Sequence, residues 1–124
     1  MPTARSLLGQ RAESLASEQL ARMGYRLVCR NYRCRGGEID IIAWDGACLS
    51  FVEVRSHRSA SFGLPAESID LRKQRKLHLT AQTYLSENNL HEANCRFDVV
   101  EVVFAKGRLP IIEVIKGAFD APDE

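Results

Sequence analysis

No apolar run in this 124-residue chain approaches the roughly 18 residues that a membrane-spanning helix needs. Residues 1–20 contain no apolar segment of signal-peptide type, so the expected home is the reducing cytoplasm, with no membrane partner. The four cysteines, Cys29, Cys34, Cys48 and Cys95, include no C-x-x-C pair. A zinc site therefore lacks its usual spacing, and buried free thiols are the expected state. His57, His78 and His91 show no ligand spacing either. There is no repeat, linker or low-complexity stretch. The net charge is only +1, so no global basic field points to nucleic acid.

What is present is ordinary for one globular domain spanning residues 1–124. Hydrophobic residues make up 45% and charged residues 27%, enough for a core without disulfides. Charge is nevertheless segregated along the chain. Residues 1–36 hold seven arginines against Glu13 and Glu18, a balance of +5, whereas residues 77–124 hold four basic and eight acidic residues, a balance of −4. Either a one-sided surface or ordinary solvated faces would give this pattern.

Leu8, Ala12, Leu15, Ala16, Leu20 and Met23 recur at helical spacing and predict a helix over 4–23, with Gly24 at its C-terminal cap. Residues 25–32 are rich in strand formers. Residues 38–44 and 48–56 flank Asp45-Gly46 and predict a hairpin, followed by a loop over 57–66. Asp70 is the expected N-cap of a helix to residue 87, which Asn88-Asn89 ends. Strands over 97–105 and 110–115 flank a Lys106-Gly107 turn. The order α-β-β-β-α-β-β implies an α/β fold, a mixed sheet with helices packed against it.

Alternation along the hairpin puts Glu38 and Asp40 on one face and Ile39 and Ile41 on the other; Phe51, Glu53 and Arg55 share a face of the next strand. An Asp45-Gly46 loop pairs Asp40 with Phe51 and makes Glu53 its diagonal neighbour. A loop two residues longer sets Asp40 and Glu53 directly opposite. Either way two carboxylates meet and repel. Arg55 offsets part of that repulsion, and a hard cation such as Mg²⁺ suits one or two carboxylates plus waters. A solvent-facing strand surface with alternating charge remains the other reading. Glu13 lies near Gly9, Ala16 and Leu20 on the first helix, at the edge of its apolar stripe. It is a candidate third ligand or proton acceptor, or else a residue paired with an arginine. Asp98 begins a strand and is assigned only a turn-anchoring role.

The ordered set Gly9-x-x-Ala12-Glu13, Gly24-Tyr25, Arg30-Asn31-Tyr32-Arg33-Cys34-Arg35, Gly37-Glu38-Ile39-Asp40, Phe51-Val52-Glu53-Val54-Arg55 and Arg96-Phe97-Asp98-Val99-Val100 resembles the YraN family over nearly the whole chain. That family of small proteins is grouped with the PD-(D/E)XK, or restriction-endonuclease-like, nucleases and is similar in fold to archaeal Holliday-junction resolvases. The resemblance implies an αβββαβ core with an extra C-terminal strand and a Mg²⁺- or Mn²⁺-dependent endonuclease acting on DNA, with branched DNA as a substrate class. It implies Asp40 and Glu53 as metal ligands, the Val54 carbonyl as a further one, Glu13 as the helical acid, and a homodimer. Arg55 falls where the superfamily more often has lysine. Arginine can orient phosphate but cannot act as a base, so hydrolysis would need a water activated by the cation. Arg33, Arg35, Arg58, Lys73, Gln74 and Arg75 are candidates for gripping nucleic acid, and Lys76 lies in the same helical turn. Two other readings stay open: a non-catalytic nucleic-acid-binding module with a retained nuclease fold, and a protein-interaction scaffold.

Overall fold

The computed structural model describes residues 4–58 and 69–120. Its elements run α1 (Ala4–Arg22), β1 (Arg26–Cys34), β2 (Gly37–Asp45), β3 (Cys48–Arg58), α2 (Leu71–Glu87), β4 (Asn94–Phe104) and β5 (Ile111–Phe119). The predicted order is reproduced, including the additional C-terminal strand. The strands form one mixed sheet in the order β1-β2-β3-β4-β5, antiparallel except for the parallel pair β3 and β4. A parallel pair needs a long crossover, and α2 supplies it. Of the loop predicted over 57–66, His57 and Arg58 belong to β3 and the rest lies outside the described residues.

Local chemistry sets the helix ends. Helix α1 closes in a Schellman motif: Tyr25 N–H reaches Leu20 O, Gly24 N–H reaches Ala21 O, and Gly24 takes φ +96°. Asp70 caps α2 through its side chain, which accepts from Lys73 N–H at 2.8 Å. At the far end Asn89 takes φ +55°, and Leu90 N–H returns to Leu85 O.

Each helix covers one sheet face. Ala12, Ala16 and Leu20, four residues apart, line α1 and pack on Ile41, Ala43, Val52, Val100 and Val102. The alanines allow a close approach. Leu77, Ala81 and Tyr84 of α2 pack on Ile39, Ile42, Leu49, Phe51 and Phe97. Gly37 fixes the entry to β2, where a Cβ would come within 2.9 Å of the buried Thr80 hydroxyl on α2. Gly37→Ala should therefore cost about 1–3 kcal/mol, the usual range for overpacking. Urea denaturation checks this, and an unchanged midpoint would show that α2 shifts freely.

Three sequence expectations need correction. The hairpin closes on the pair Asp45↔Cys48, so its turn residues are Gly46-Ala47 and not Asp45-Gly46. Gly46 takes φ +60°, which a glycine adopts without steric cost. The rungs from Asp45↔Cys48 to Ile41↔Val52 bring Asp40 in line with Glu53 rather than Phe51. The slip is two residues, so facial parity survives it. The second correction concerns β2 itself. Ile39 packs in the α2 layer, although Ile41 packs in the α1 layer. Alternation breaks at Asp40. The cause lies in β1, where Asn31 falls between the rungs Arg30↔Ile41 and Tyr32↔Ile39 and takes φ +55°. Cys29 and Tyr32, three residues apart, consequently both pack on the α2 layer. The thiols also depart from expectation: Cys29, Cys34 and Cys48 are half-buried and Cys95 is exposed, all of them free.

Candidate metal and nucleic-acid site

Asp40 occupies the place where β2 and β3 part. Beyond Ile41↔Val52 no further rung joins the two strands, and Val54 N–H donates to Asp40 Oδ2 at 2.8 Å. A side chain thus replaces the strand partner, and Val54 enters the site through its N–H. Asp40 also hydrogen-bonds Glu53. Burial pushes the Asp40 carboxyl up to about 8, reinforced by the bond to Glu53 and its charge and opposed by the Val54 N–H. The metal-free pair therefore holds a proton at neutral pH. Glu53 comes from the α2 face of β3, and its side chain is only 14% exposed. Its Oε2 lies 3.3 Å from Lys73 Nζ, an ion-pair distance without hydrogen-bond alignment, so this buried oxygen accepts no hydrogen bond.

Glu13 approaches from α1. Its nearest cation is Arg30, with Oε1 3.7 Å from the guanidinium. Asn31 donates a hydrogen bond to it. Burial raises the Glu13 carboxyl, the charge of Asp40 raises it further, and Asn31 and Arg30 oppose the rise. Glu13 feels Asp40 while its direct contacts are on β1. Among the described residues, no group of three or more His, Cys, Asp or Glu side chains is arranged to hold a metal ion. The acid site is a pair with a charged neighbour.

The remaining candidates separate. Arg55 reaches Glu101, its rung partner on β4, at 3.6 Å. Glu101 is buried and also meets His57 Nε2, while its Oε1 accepts no hydrogen bond. Lys73, expected to grip phosphate, lies instead on Glu53. Gln74 turns back to donate to Ile69 O at 2.7 Å and supports the start of α2. Arg33 pairs with Glu38 at 3.3 Å on the surface. Arg35, Arg58 and Arg75 are exposed.

Sequence reasoning missed Asn31, His57, Glu101 and the network around Asp98. One signal was available for Asn31: asparagine is depleted in strands and tolerates positive φ, so its place in a run of strand formers marks an irregularity. Asp98 is fully buried inside β4 and accepts from Arg96, Tyr25, Ser50 and the Gly117 N–H. It is a structural hub two strands across from Asp40, in line with Val52 and Ile41, not a turn anchor.

No helix among the described residues is long and apolar enough to cross a membrane. Residues 12–102, which include Glu13, Asp40, Glu53 and Arg55, match the uncharacterised protein family UPF0102. A UPF0102 protein of Moorella thermoacetica is 47% identical over 120 residues, covering 96% of this chain and all of the relative. One from Xanthomonas campestris pv. campestris is 47% identical over 124 residues, covering 99% of each. A third, from Trichlorobacter lovleyi, is 44% identical over 114 residues, covering 91% of this chain and 90% of its own. On both the family match and these near-full-length identities, the chain belongs to the UPF0102 family, also called YraN.

Proposed function

We propose that this protein is a nuclease of the PD-(D/E)XK type that uses Mg²⁺ or Mn²⁺ to hydrolyse phosphodiester bonds in DNA. The observation that carries the reading is the Asp40–Glu53 pair: two carboxylates forced together where β2 and β3 part, with one buried oxygen that accepts no hydrogen bond. Its nearest partner is the Lys73 ammonium, at 3.3 Å. The donor set fits a hard cation, which takes one or two carboxylates and completes its shell with water and phosphate. Asp40 and Glu53 would hold it. When bound, it supplies Lewis-acid activation of water and neutralises charge on the phosphoryl group.

The chain's own residues account for the rest. Asp40 gives up its proton when a cation is held, so cation affinity rises with pH. Lys73 places an ammonium at Glu53, bringing from α2 a lysine that β3 lacks at residue 55. Arg55 offers a planar, permanently charged donor set for a phosphoryl oxygen. Glu13, with its raised carboxyl, is the group for a proton released near Asp40. A two-fold branched substrate would call for a homodimer, which sedimentation with and without DNA tests.

The direct test is cleavage of branched, single-stranded and duplex DNA and of RNA with Mg²⁺ and Mn²⁺. The contact of Arg55 with Glu101 favours a second reading, a nucleic-acid-binding module without turnover, and no cleavage of any substrate would select it. Within the nuclease reading, Arg55→Lys should retain cleavage, because the charge persists. Arg55→Ala should lose on the order of 10²-fold, comparable to removing one oxyanion donor. Single-turnover rates at saturating Mn²⁺ decide this, and equal rates in all three proteins would make Arg55 structural.

A further inference from the structure

Opposite residues on two paired strands share a face, and the faces alternate from rung to rung. The β1–β2 ribbon keeps this rule on either side of one pair and breaks it there. The rungs Arg30↔Ile41 and Tyr32↔Ile39 belong to one register, which sets Asn31 opposite Asp40. Cys29 and its partner Ile42 pack in the α2 layer. Ile41 packs in the α1 layer, and its partner Arg30 reaches Glu13 and Ser14 on α1. Regular alternation would then return Asn31 and Asp40 to the α2 face and send Tyr32 and Ile39 to α1. Tyr32 and Ile39 pack instead with α2. The ribbon turns over at the Asn31–Asp40 pair.

Few residue types permit that turn. Asn31 takes φ +55°, in the left-handed region, which asparagine and aspartate reach more readily than other residues with a side chain. Among the described residues the other non-glycine with positive φ is Asn89, which closes α2. A helix end uses this conformation routinely. A strand interior does not.

The consequence appears at Asp40. In a regular strand a side chain stands roughly perpendicular to the sheet and points away from the neighbouring backbone. Asp40 instead reaches across to β3, where its carboxylate accepts from Val54 N–H at 2.8 Å and meets Glu53. On the α1 side the Asn31 side chain donates to Glu13. Asn31 is exposed, so packing does not dictate its identity. Glycine would make the same turn with less strain, but has no side chain to reach Glu13.

We infer that Asn31 is a positioning residue for the acid site: its left-handed backbone turns Asp40 toward Val54 and Glu53, and its amide holds Glu13 beside them. That the site takes a cation rests on the nuclease reading above; the turn and its effect on Asp40 do not.

The test compares Asn31→Gly, which keeps the turn and loses the amide, with Asn31→Val, whose β-branched side chain resists positive φ. Hydrogen exchange at the Val54 amide of the full chain in EDTA reads where Asp40 lies. Measured against the buried amides of Val99 and Val100, Val54 should exchange about 10-fold faster in Asn31→Val and within about 3-fold of wild type in Asn31→Gly. Asn31→Ala, a milder change in the same direction, takes its place if Asn31→Val does not fold. Unchanged exchange in the folded variant overturns the role of the turn, and so does Asn31→Gly exchanging as fast as Asn31→Val. Nitrogen-15 NMR reads the amide. The Asn31 side-chain signal, identified by its loss in Asn31→Gly, should shift in Glu13→Gln, and an unmoved signal overturns the hold on Glu13. Calorimetry with Mn²⁺ reads the site itself. Affinity should fall about 10-fold in Asn31→Val and stay within about 3-fold in Asn31→Gly. No binding of Mn²⁺ by the wild type would overturn the nuclease reading, and exchange at Val54 then decides the turn alone. A lower melting temperature with neither exchange nor affinity altered would make Asn31 a purely structural residue and overturn the proposal.

Discussion

Asp40→Asn is expected to raise the melting temperature of the metal-free protein at pH 8 and to abolish its response to Mg²⁺ or Mn²⁺. In the unfolded chain an aspartate ionises near 3.8, whereas in the fold Asp40 keeps its proton up to about 8. Between these values the native state binds the extra proton, so stability falls as pH rises through that window. At pH 8 the metal-free wild type has lost most of this contribution and begins to carry two buried carboxylates side by side. Asparagine keeps the shape and removes one charge, at the same time supplying an N–H donor toward Glu53. A gain of about 1–3 kcal/mol, on the order of 5–10 °C for a chain of this size, follows. Divalent cation should stabilise the wild type by about 2.7 kcal/mol at 100 times its Kd, and the variant hardly at all. Cleavage should fall further than in Arg55→Ala, because a ligand is lost rather than a donor. The pair would be a structural contact if the variant were less stable than the wild type and Mn²⁺ stabilised both equally.

Short-range chemistry was the legible part of this chain. Asp70 and Gly24 mark helix ends through bonds made within a few residues, and both caps form as their residue types dictate. The meeting of Asp40 with Glu53 was legible for a different reason. It depends on parity alone, so it survives the two-residue slip from an Asp45-Gly46 to a Gly46-Ala47 turn. Features that depend on which distant strands pair were not legible. Arg55 meets Glu101 because β3 and β4 align in parallel across the α2 crossover, and spacing within β3 says nothing of that. Lys73 was correctly placed in the first turn of α2, but its proximity to Glu53 follows from how that helix docks. The break in alternation at Asp40 arises in a neighbouring strand, at Asn31.

Asp98→Ala should be the most destabilising change, at about 3–5 kcal/mol, the range for removing one member of a buried, hydrogen-bonded charge pair. Asp98 Oδ1 accepts from Arg96 Nε at 2.7 Å and from the Gly117 N–H at 2.9 Å. Its Oδ2 accepts from the Ser50 hydroxyl at 2.6 Å, the Tyr25 hydroxyl at 2.9 Å and a second Arg96 nitrogen at 2.8 Å. Burial raises its carboxyl, but the bonds from Arg96, Ser50, Gly117 and Tyr25 together hold it below the usual aspartate range. One side chain thus joins the end of α1, β3, β4 and β5. Alanine leaves the buried Ser50 hydroxyl without that acceptor and releases Gly117, which takes φ +61° in β5. Arg96 retains Asp45 at 2.8 Å, which limits the damage on that side. A fall in melting temperature of roughly 10–20 °C is expected. The pH dependence has the opposite sign to that of Asp40. A lowered carboxyl stabilises the fold above its unfolded value near 3.8, and that contribution is lost as pH falls through the lower folded value. Wild type should therefore lose more stability than Asp98→Ala on acidification below pH 4. Asp98 lies two strands across from Asp40 and bonds to Tyr25, Ser50, Arg96 and Gly117, none of which belongs to the acid pair, so the folded fraction of the variant at low temperature should bind Mn²⁺ as the wild type does. A melting temperature within 5 °C of wild type would show that the bonds around Asp98 contribute little. Lost cation binding by a folded variant would instead tie this network to the acid pair.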